Sequence, residues 1–157
     1  MKIMFICTSN VCRSAMAKAL FEKIIENTNP IIEVYSCGIF AQTGDMASYN
    51  AIQAMKETFN IDLKEHRAIN IAESQIEQMD LILCATLSHK KTVQQLYPHL
   101  ASKVYTIKEY AGIAKEGQEM DIRDPWGYNL ETYLLCVQEL EECLQKIAEK
   151  ILQRNEK

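Results

Sequence analysis

Several things are scarce in this chain, and each scarcity narrows what it can be. Long hydrophobic runs are missing: the N-terminal stretch Met1-Lys2-Ile3-Met4-Phe5-Ile6 carries one charge and is too short for a signal-peptide core or a membrane span, so neither export nor a membrane partner is expected. An excess of positive charge is missing too. Seventeen Lys and Arg stand against 21 Asp and Glu, a formal net charge of −4, which argues against nucleic acid as a partner. The six cysteines include no Cys-x-x-Cys pair and no metal-like Cys/His spacing. In a chain that is 48% hydrophobic they read as reduced thiols, which excludes a disulfide framework and a metal requirement and points to the cytoplasm. No internal repeat or low-complexity segment occurs, and 157 residues are enough for one core and too few for two ordinary domains, so a single domain over residues 1–157 is expected.

What is present is an alternation of strand and helix patterns. An apolar run ending at Cys7 is followed by a helical pattern from about Ser14 to Asn27, stopped by Asn29-Pro30, and by a strand over 31–36 that Gly38 breaks. Residues 41–46 form a loop, a second helix runs from about Ser48 to Phe59 with Ser48 or a neighbour as its cap, and 61–70 is irregular. A short helix over 73–78 precedes the apolar strand Asp80 to Cys84. A helix from Leu87 to Tyr97, a strand from Val104 to Ile107, a long active loop over 108–129 and an amphipathic helix from Leu130 to Ile151 complete the chain. The pattern predicts an α/β fold of three layers, a parallel sheet of about four strands with helices on both faces.

The stretch Cys7-Thr8-Ser9-Asn10-Val11-Cys12-Arg13-Ser14 sits where a ligand binds in such a fold, at the carboxyl end of the first strand. A tight loop entering a helix N-terminus turns backbone N–H groups inward, with the helix dipole behind them, and so suits a tetrahedral oxyanion such as phosphate. A thiol at its mouth, close to a guanidinium, is expected to ionise near neutral pH and to act as nucleophile. Arg13 presents a planar fork of donors to two phosphoryl oxygens, and its positive charge at a helix N-terminus calls for an anion. Ser14 can donate to the Cys7 sulfur, and Asn10 tolerates left-handed backbone. Loop residues 8–14 together are expected to hold the phosphate.

These residues resemble the signature of the low-molecular-weight protein tyrosine phosphatases, Cys-x5-Arg-Ser/Thr near the N-terminus. The resemblance continues through Ser36-Cys37-Gly38, His66-Arg67-Ala68, Asp80-Leu81-Ile82-Leu83 and Asp124-Pro125-Trp126-Gly127, and so spans nearly the whole chain. It implies the strand order 2-1-3-4, a phosphocysteine intermediate and Asp124 as general acid, then as base for the hydrolytic water. By the same resemblance Ser36 and His66 support the loop through hydrogen bonds to Asn10; from sequence alone His66 is an exposed loop histidine. The expected partners are a phosphorylated protein and an oxyanion in the loop, with no cofactor, and the chain is expected to act as a monomer.

Other positions keep two readings. Cys12, five residues after Cys7, is either a packed loop thiol or the partner that captures an oxidised Cys7 as a reversible disulfide. Trp126, the only tryptophan, reads as a pocket wall rather than core; Phe40 is a second candidate wall with core as its main reading; Val11 completes the expected pocket. Asp121 reads as a solvated loop charge, and Cys37, Cys84, Cys136 and Cys143 as structural thiols.

Ser9 stands where the family usually has glycine and Ala15 where it often has proline. A single aromatic precedes Gly127 where many tyrosine-specific members have two. The stretches Gly38-Ile39-Phe40-Ala41 and Val104 to Tyr110, with the Asp-Pro-Trp-Gly loop, resemble the bacterial branch that dephosphorylates protein arginine. Val11, however, replaces that branch's loop threonine with an aliphatic side chain. Phosphotyrosine is therefore the expected substrate and phosphoarginine the alternative. An arsenate reductase, with Cys84 as first relay thiol, and a phosphoprotein-binding module without turnover are the remaining possibilities.

Overall fold

The structure, a computed structural model, describes residues 1–28, 31–115 and 118–155, the side chains of 154 and 155 excepted. Asn29 and Pro30, expected to stop the first helix, and Gly117 of the expected loop lie outside the described residues. The elements are β1 (Lys2–Cys7), α1 (Arg13–Ile25), β2 (Glu33–Gly38), α2 (Tyr49–Phe59), β3 (Leu81–Cys84), α3 (Leu87–Leu96), β4 (Val104–Thr106), α4 (Ile107–Tyr110) and α5 (Leu130–Asn155). Short 3₁₀ turns occupy Ile71–Glu73, Ile76–Gln78 and Pro98–Lys103.

All four strands are parallel, in the order β2-β1-β3-β4, as the family resemblance implies. β1 lies between β2 and β3, with Lys2 to Cys7 paired against Glu33 to Gly38 and Ile3 to Ile6 against Leu81 to Cys84. Because successive side chains of a strand point to opposite faces, Ile3, Phe5 and Cys7 enter one layer of the core while Met4 and Ile6 enter the other. Both faces are covered, which is why β1 reads as an unbroken apolar run. The first layer is filled from α1, α2 and α5, with Phe21 of α1 meeting Phe5 edge-on at 5.7 Å between ring centroids. Such a pair adds about 1 kcal/mol beyond its buried area and fixes α1 over β1. The second layer takes Val93 from α3 and Ile71, Ile76 and Leu100 from the 3₁₀ turns.

Several element ends differ from expectation, three of them informatively. The second strand starts at Glu33, leaving Ile31 exposed, and runs through Gly38. The expected helix over 73–78 is two single 3₁₀ turns, the first capped by Asn70, whose side chain accepts the Ala72 N–H at 2.9 Å. The loop expected from 108 starts only after α4, a single turn closed by a capping box: Thr106 Oγ1 accepts the Glu109 N–H at 3.0 Å and Glu109 accepts the Thr106 N–H at 3.1 Å.

From β1 the chain moves to β2 on one edge and then crosses back to β3 on the other edge of β1, so the carboxyl end of β1 is the point where strand order reverses. Cys7 stands there.

Candidate functional site

Residues 8–12 carry the chain from the end of β1 into α1, and the turn is held from several sides. Asn10 takes the left-handed conformation with φ 59°, which asparagine tolerates better than most residues. Its buried side chain donates to Ser14 Oγ at 2.7 Å and to Ser36 Oγ at 3.0 Å, and accepts from the Ile69 N–H at 3.1 Å. Its backbone carbonyl lies 2.7 Å from His66 Nε2. A carbonyl only accepts, so His66 carries its hydrogen on Nε2. Burial pulls the His66 imidazole below its usual value, with the Asn10 carbonyl opposing. Sequence alone marks this histidine as exposed; it is half-buried, and the resemblance locates its partner.

Gly38, opposite Cys7 in β2, leaves room for the loop to pass. A Cβ there would meet the Thr8 carbonyl oxygen at 2.7 Å and the Asn10 nitrogen at 2.9 Å, both backbone and unable to yield cheaply. We expect Gly38→Ala to destabilise the fold by about 1–3 kcal/mol and to lower turnover in parallel, measured by thermal unfolding and a phosphatase assay. An unchanged melting temperature would show that the loop is not held by this approach.

Helix α1 starts with Arg13 behind Cys12, which makes no side-chain capping bond, and its first turn holds no acidic residue. The N-terminal N–H groups are thus left to a ligand or to the sulfur. The Ser14 N–H donates to Cys7 Sγ at 3.4 Å, and Ser14 Oγ lies 2.9 Å from the same sulfur. Because Ser14 Oγ accepts from Asn10, its own hydrogen is available to donate, and two acceptors compete for it, the Cys37 carbonyl at 3.4 Å and the nearer Cys7 sulfur, which as a thiolate would be the stronger acceptor.

Arg13 is buried, 5% exposed, and its fork is divided. Nη1 donates to the Ile122 carbonyl at 3.0 Å, while Nη2 lies 3.5 Å from Asp124 Oδ2 and 3.5 Å from Thr8 Oγ1. The segment bearing Asp124 is fastened at two more points: the Ile122 N–H donates to the Ala85 carbonyl at 2.8 Å, and Asp121 accepts the Leu87 N–H at 2.8 Å. Asp121 is exposed, as expected of a loop charge, but it also ties this segment to the start of α3. Asp124 Oδ1 accepts the Trp126 N–H at 3.1 Å, and Gly127 at φ 83° turns the chain.

Cys7, Thr8, Ser9, Cys12, Arg13, Asp124 and Trp126 line one cavity of about 180 Å³. That is small for an organic ligand and suits a phosphoryl head whose remainder rests over the rim. Asn10, Val11 and Ser14 lie buried behind it. Two expected pocket walls are placed otherwise. Val11 does not line the cavity, and its carbonyl accepts the Ser48 N–H at 3.0 Å. Phe40 is not core, at 76% exposed, because the turn after β2 carries its side chain off the sheet while its N–H bonds the Thr8 carbonyl at 2.8 Å. Trp126, 62% exposed, is a wall.

The other thiols separate by layer. Cys12 Sγ lies 3.3 Å from both Ser48 Oγ and Tyr133 Oη, and burial pushes it up against those two hydrogen bonds. Burial also pushes Cys37, Cys136 and Cys143 up to about 12 and Cys84 further still. Cys84 belongs to the layer opposite Cys7, so the two thiols sit on opposite faces of the sheet, which disfavours a disulfide relay between them. Among the described residues no cluster of three or more His, Cys, Asp or Glu could hold a metal ion, and no helix is long and apolar enough to cross a membrane. Three contributors escaped the sequence: the Ile122 carbonyl, Ser48 beyond its role as cap, and His89, whose Nε2 is 2.9 Å from Thr8 Oγ1. A backbone acceptor leaves no mark on sequence, and a lone histidine on a helix leaves little.

Residues 2–157 match the profile of the family described as low molecular weight phosphotyrosine protein phosphatase. The chain is 35% identical over 156 residues to the protein-arginine-phosphatase of Bacillus subtilis (strain 168), covering 96% of this chain and 97% of that protein. The crystal structure of a low molecular weight protein tyrosine phosphatase from T. tengcongensis is similar with a TM-score of 0.87 at 37% identity, over 96% of this chain and 99% of that one. The YwlE arginine phosphatase, solved as a mutant with a phosphorylated active-site serine, is similar with a TM-score of 0.87 at 35% identity, over 96% of this chain and 95% of that one.

Proposed function

Because this chain belongs to the low molecular weight phosphotyrosine protein phosphatase family, and is with it a cysteine-dependent phosphatase, we propose that it hydrolyses phosphotyrosine in proteins through a phosphocysteine intermediate. The observation that carries this is the meeting of Cys7, Arg13 and Asp124 on one small cavity at the N-terminus of α1. The phosphoryl oxygens lie among the N–H groups of residues 8–14, with the Arg13 guanidinium across two of them. The Cys7 thiolate attacks phosphorus, and the bond to the leaving oxygen breaks as Asp124 gives that oxygen its proton. The Asp124 carboxylate then takes a proton from water, whose oxygen displaces the Cys7 sulfur and releases phosphate. Charge gathered on the transferring group meets donors that are already in place. Asn10, Ser14, Ser36 and His66 keep those donors aimed.

Residues 1–157 act in this scheme as one phosphatase domain, a monomer of the cytoplasm with no metal or organic cofactor. Cys12 serves as the thiol that can trap an oxidised Cys7.

A second reading, protein-arginine phosphatase, is favoured by the 35% identity to an enzyme of that name. Trp126 serves either substrate, since its exposed face can cover a phenyl ring or a guanidinium. Val11, buried behind the cavity, adds no hydroxyl to it for a guanidinium or for water, which favours tyrosine. Turnover of phosphotyrosine, phosphoarginine and phosphoserine proteins, measured side by side, decides. We expect kcat/KM for phosphotyrosine to exceed that for phosphoarginine by about tenfold or more, and Asp124→Ala to lower kcat by about 10²–10⁴-fold on the preferred substrate. The reverse order would transfer the enzyme to the arginine-specific reading. A burst without sustained turnover would make it a phosphoprotein-binding module.

A further inference from the structure

His89 stands against the phosphate loop, yet the reaction above gives it no part. It lies in the first turn of α3, where its backbone N–H donates to the capping Thr86 Oγ1 at 3.0 Å, and it is 9% exposed. Its Nε2 is 2.9 Å from Thr8 Oγ1, and Arg13 Nη2 approaches that same oxygen at 3.5 Å. Nδ1 is buried and, among the described residues, has no hydrogen-bond partner. Burial, with the Arg13 charge beside it, pulls the ring down to about 4 against the opposing Asp121 and Asp124, so near pH 7 it is neutral and carries one hydrogen.

That hydrogen has two possible sites. On Nδ1 it would be a buried N–H without an acceptor, the orphan that folded proteins avoid most. On Nε2 it is donated to Thr8 and only a bare lone pair is left over. Guanidinium nitrogens can only donate. The Thr8 oxygen then receives from His89 and from Arg13, both its lone pairs are engaged, and its own hydrogen must point elsewhere. Thr8 lines the cavity beside Cys7 and Arg13.

We propose that His89 is a positioning residue that fills the acceptor capacity of Thr8 and so fixes the Thr8 hydroxyl as a hydrogen-bond donor toward an oxyanion in the cavity. The loop then offers a side-chain donor in addition to its backbone N–H groups. With the opposite tautomer, Thr8 would give its hydrogen to His89 and show the phosphoryl group only a lone pair, which repels it. The proposal rests on the cavity being the phosphoryl site described above.

The test uses the full chain and inorganic phosphate. Nitrogen NMR of the histidine rings is expected to show His89 protonated on Nε2 and bare on Nδ1 near pH 7. By calorimetry, Thr8→Val, which keeps the side-chain shape, is expected to weaken phosphate binding about tenfold and His89→Leu about threefold, whereas Thr8→Ser retains binding. The Thr8→Val/His89→Leu pair is expected to lose no more than Thr8→Val alone, because both act through one hydroxyl. A hydrogen on Nδ1, unchanged phosphate affinity in Thr8→Val, or losses that add would each overturn the proposal. Should His89→Leu not fold, Thr8→Val and the ring tautomer still decide. These readouts are separate from turnover: weakened phosphate binding in a chain that hydrolyses nothing would support the hydroxyl's role and overturn the enzymatic reading, and an active chain with unaltered variants would do the reverse.

Discussion

Cys7→Ser is expected to cut turnover of p-nitrophenyl phosphate by roughly 10⁴–10⁶-fold while inorganic phosphate still binds. The substitution changes little in volume at a position that is almost fully buried at the end of β1, so the fold and the loop should persist. What is lost is nucleophilicity. The donors that approach the sulfur, Ser14 N–H and Ser14 Oγ, would meet a serine oxygen as well, but a serine hydroxyl ionises far less readily than a thiol, and among the described residues no base hydrogen-bonds to Sγ to remove its proton. Steady-state kinetics, with calorimetry of phosphate binding and a thermal melt as controls, checks this. Undiminished hydrolysis in the variant would end the mechanism.

Arg13→Lys is expected to lower kcat/KM by about 10³–10⁵-fold, although the formal charge is kept. The guanidinium performs two tasks at once, one arm on the Ile122 carbonyl and the other toward Thr8, Asp124 and the cavity. A single ammonium cannot do both: held by Ile122 it leaves the phosphoryl oxygens, and turned to the phosphate it leaves a buried carbonyl unpaired at a cost of about 1–3 kcal/mol. A melt should therefore show modest destabilisation beside a large kinetic loss. A loss of less than tenfold would mean that Arg13 supplies charge alone and that its fork is dispensable.

The parts of this molecule that sequence disclosed are those where one residue type does something few others can. Cys7, Arg13 and Asn10 sit in a loop whose geometry their chemistry nearly dictates, and the helix pattern after them sets its direction. The strand order was another matter: β1 flanked by β2 and β3 follows from the family resemblance, since periodicity is blind to neighbours. The α4 turn leaves no periodic signal although Thr106-Ile107-Lys108-Glu109 spells its capping box, because a four-residue helix has no room for a periodic face. Phe40 is the opposite case: its size argues for core, and only the turn after β2 puts it outside. His89 reaches Thr8 across 81 residues of chain, and no local pattern encodes that.

The Ile122 carbonyl, small as it is, sets how the two ends of the reaction travel together. Through it, the side chain proposed to clasp the phosphoryl group also moors the segment carrying Asp124, the proposed proton donor, so that in the proposed reaction attack on one side of phosphorus and departure on the other share a mounting point. Drift of either partner drags its counterpart. Only Arg123 separates the two residues that reach this guanidinium, so lengthening the chain between them would pull one or the other off it.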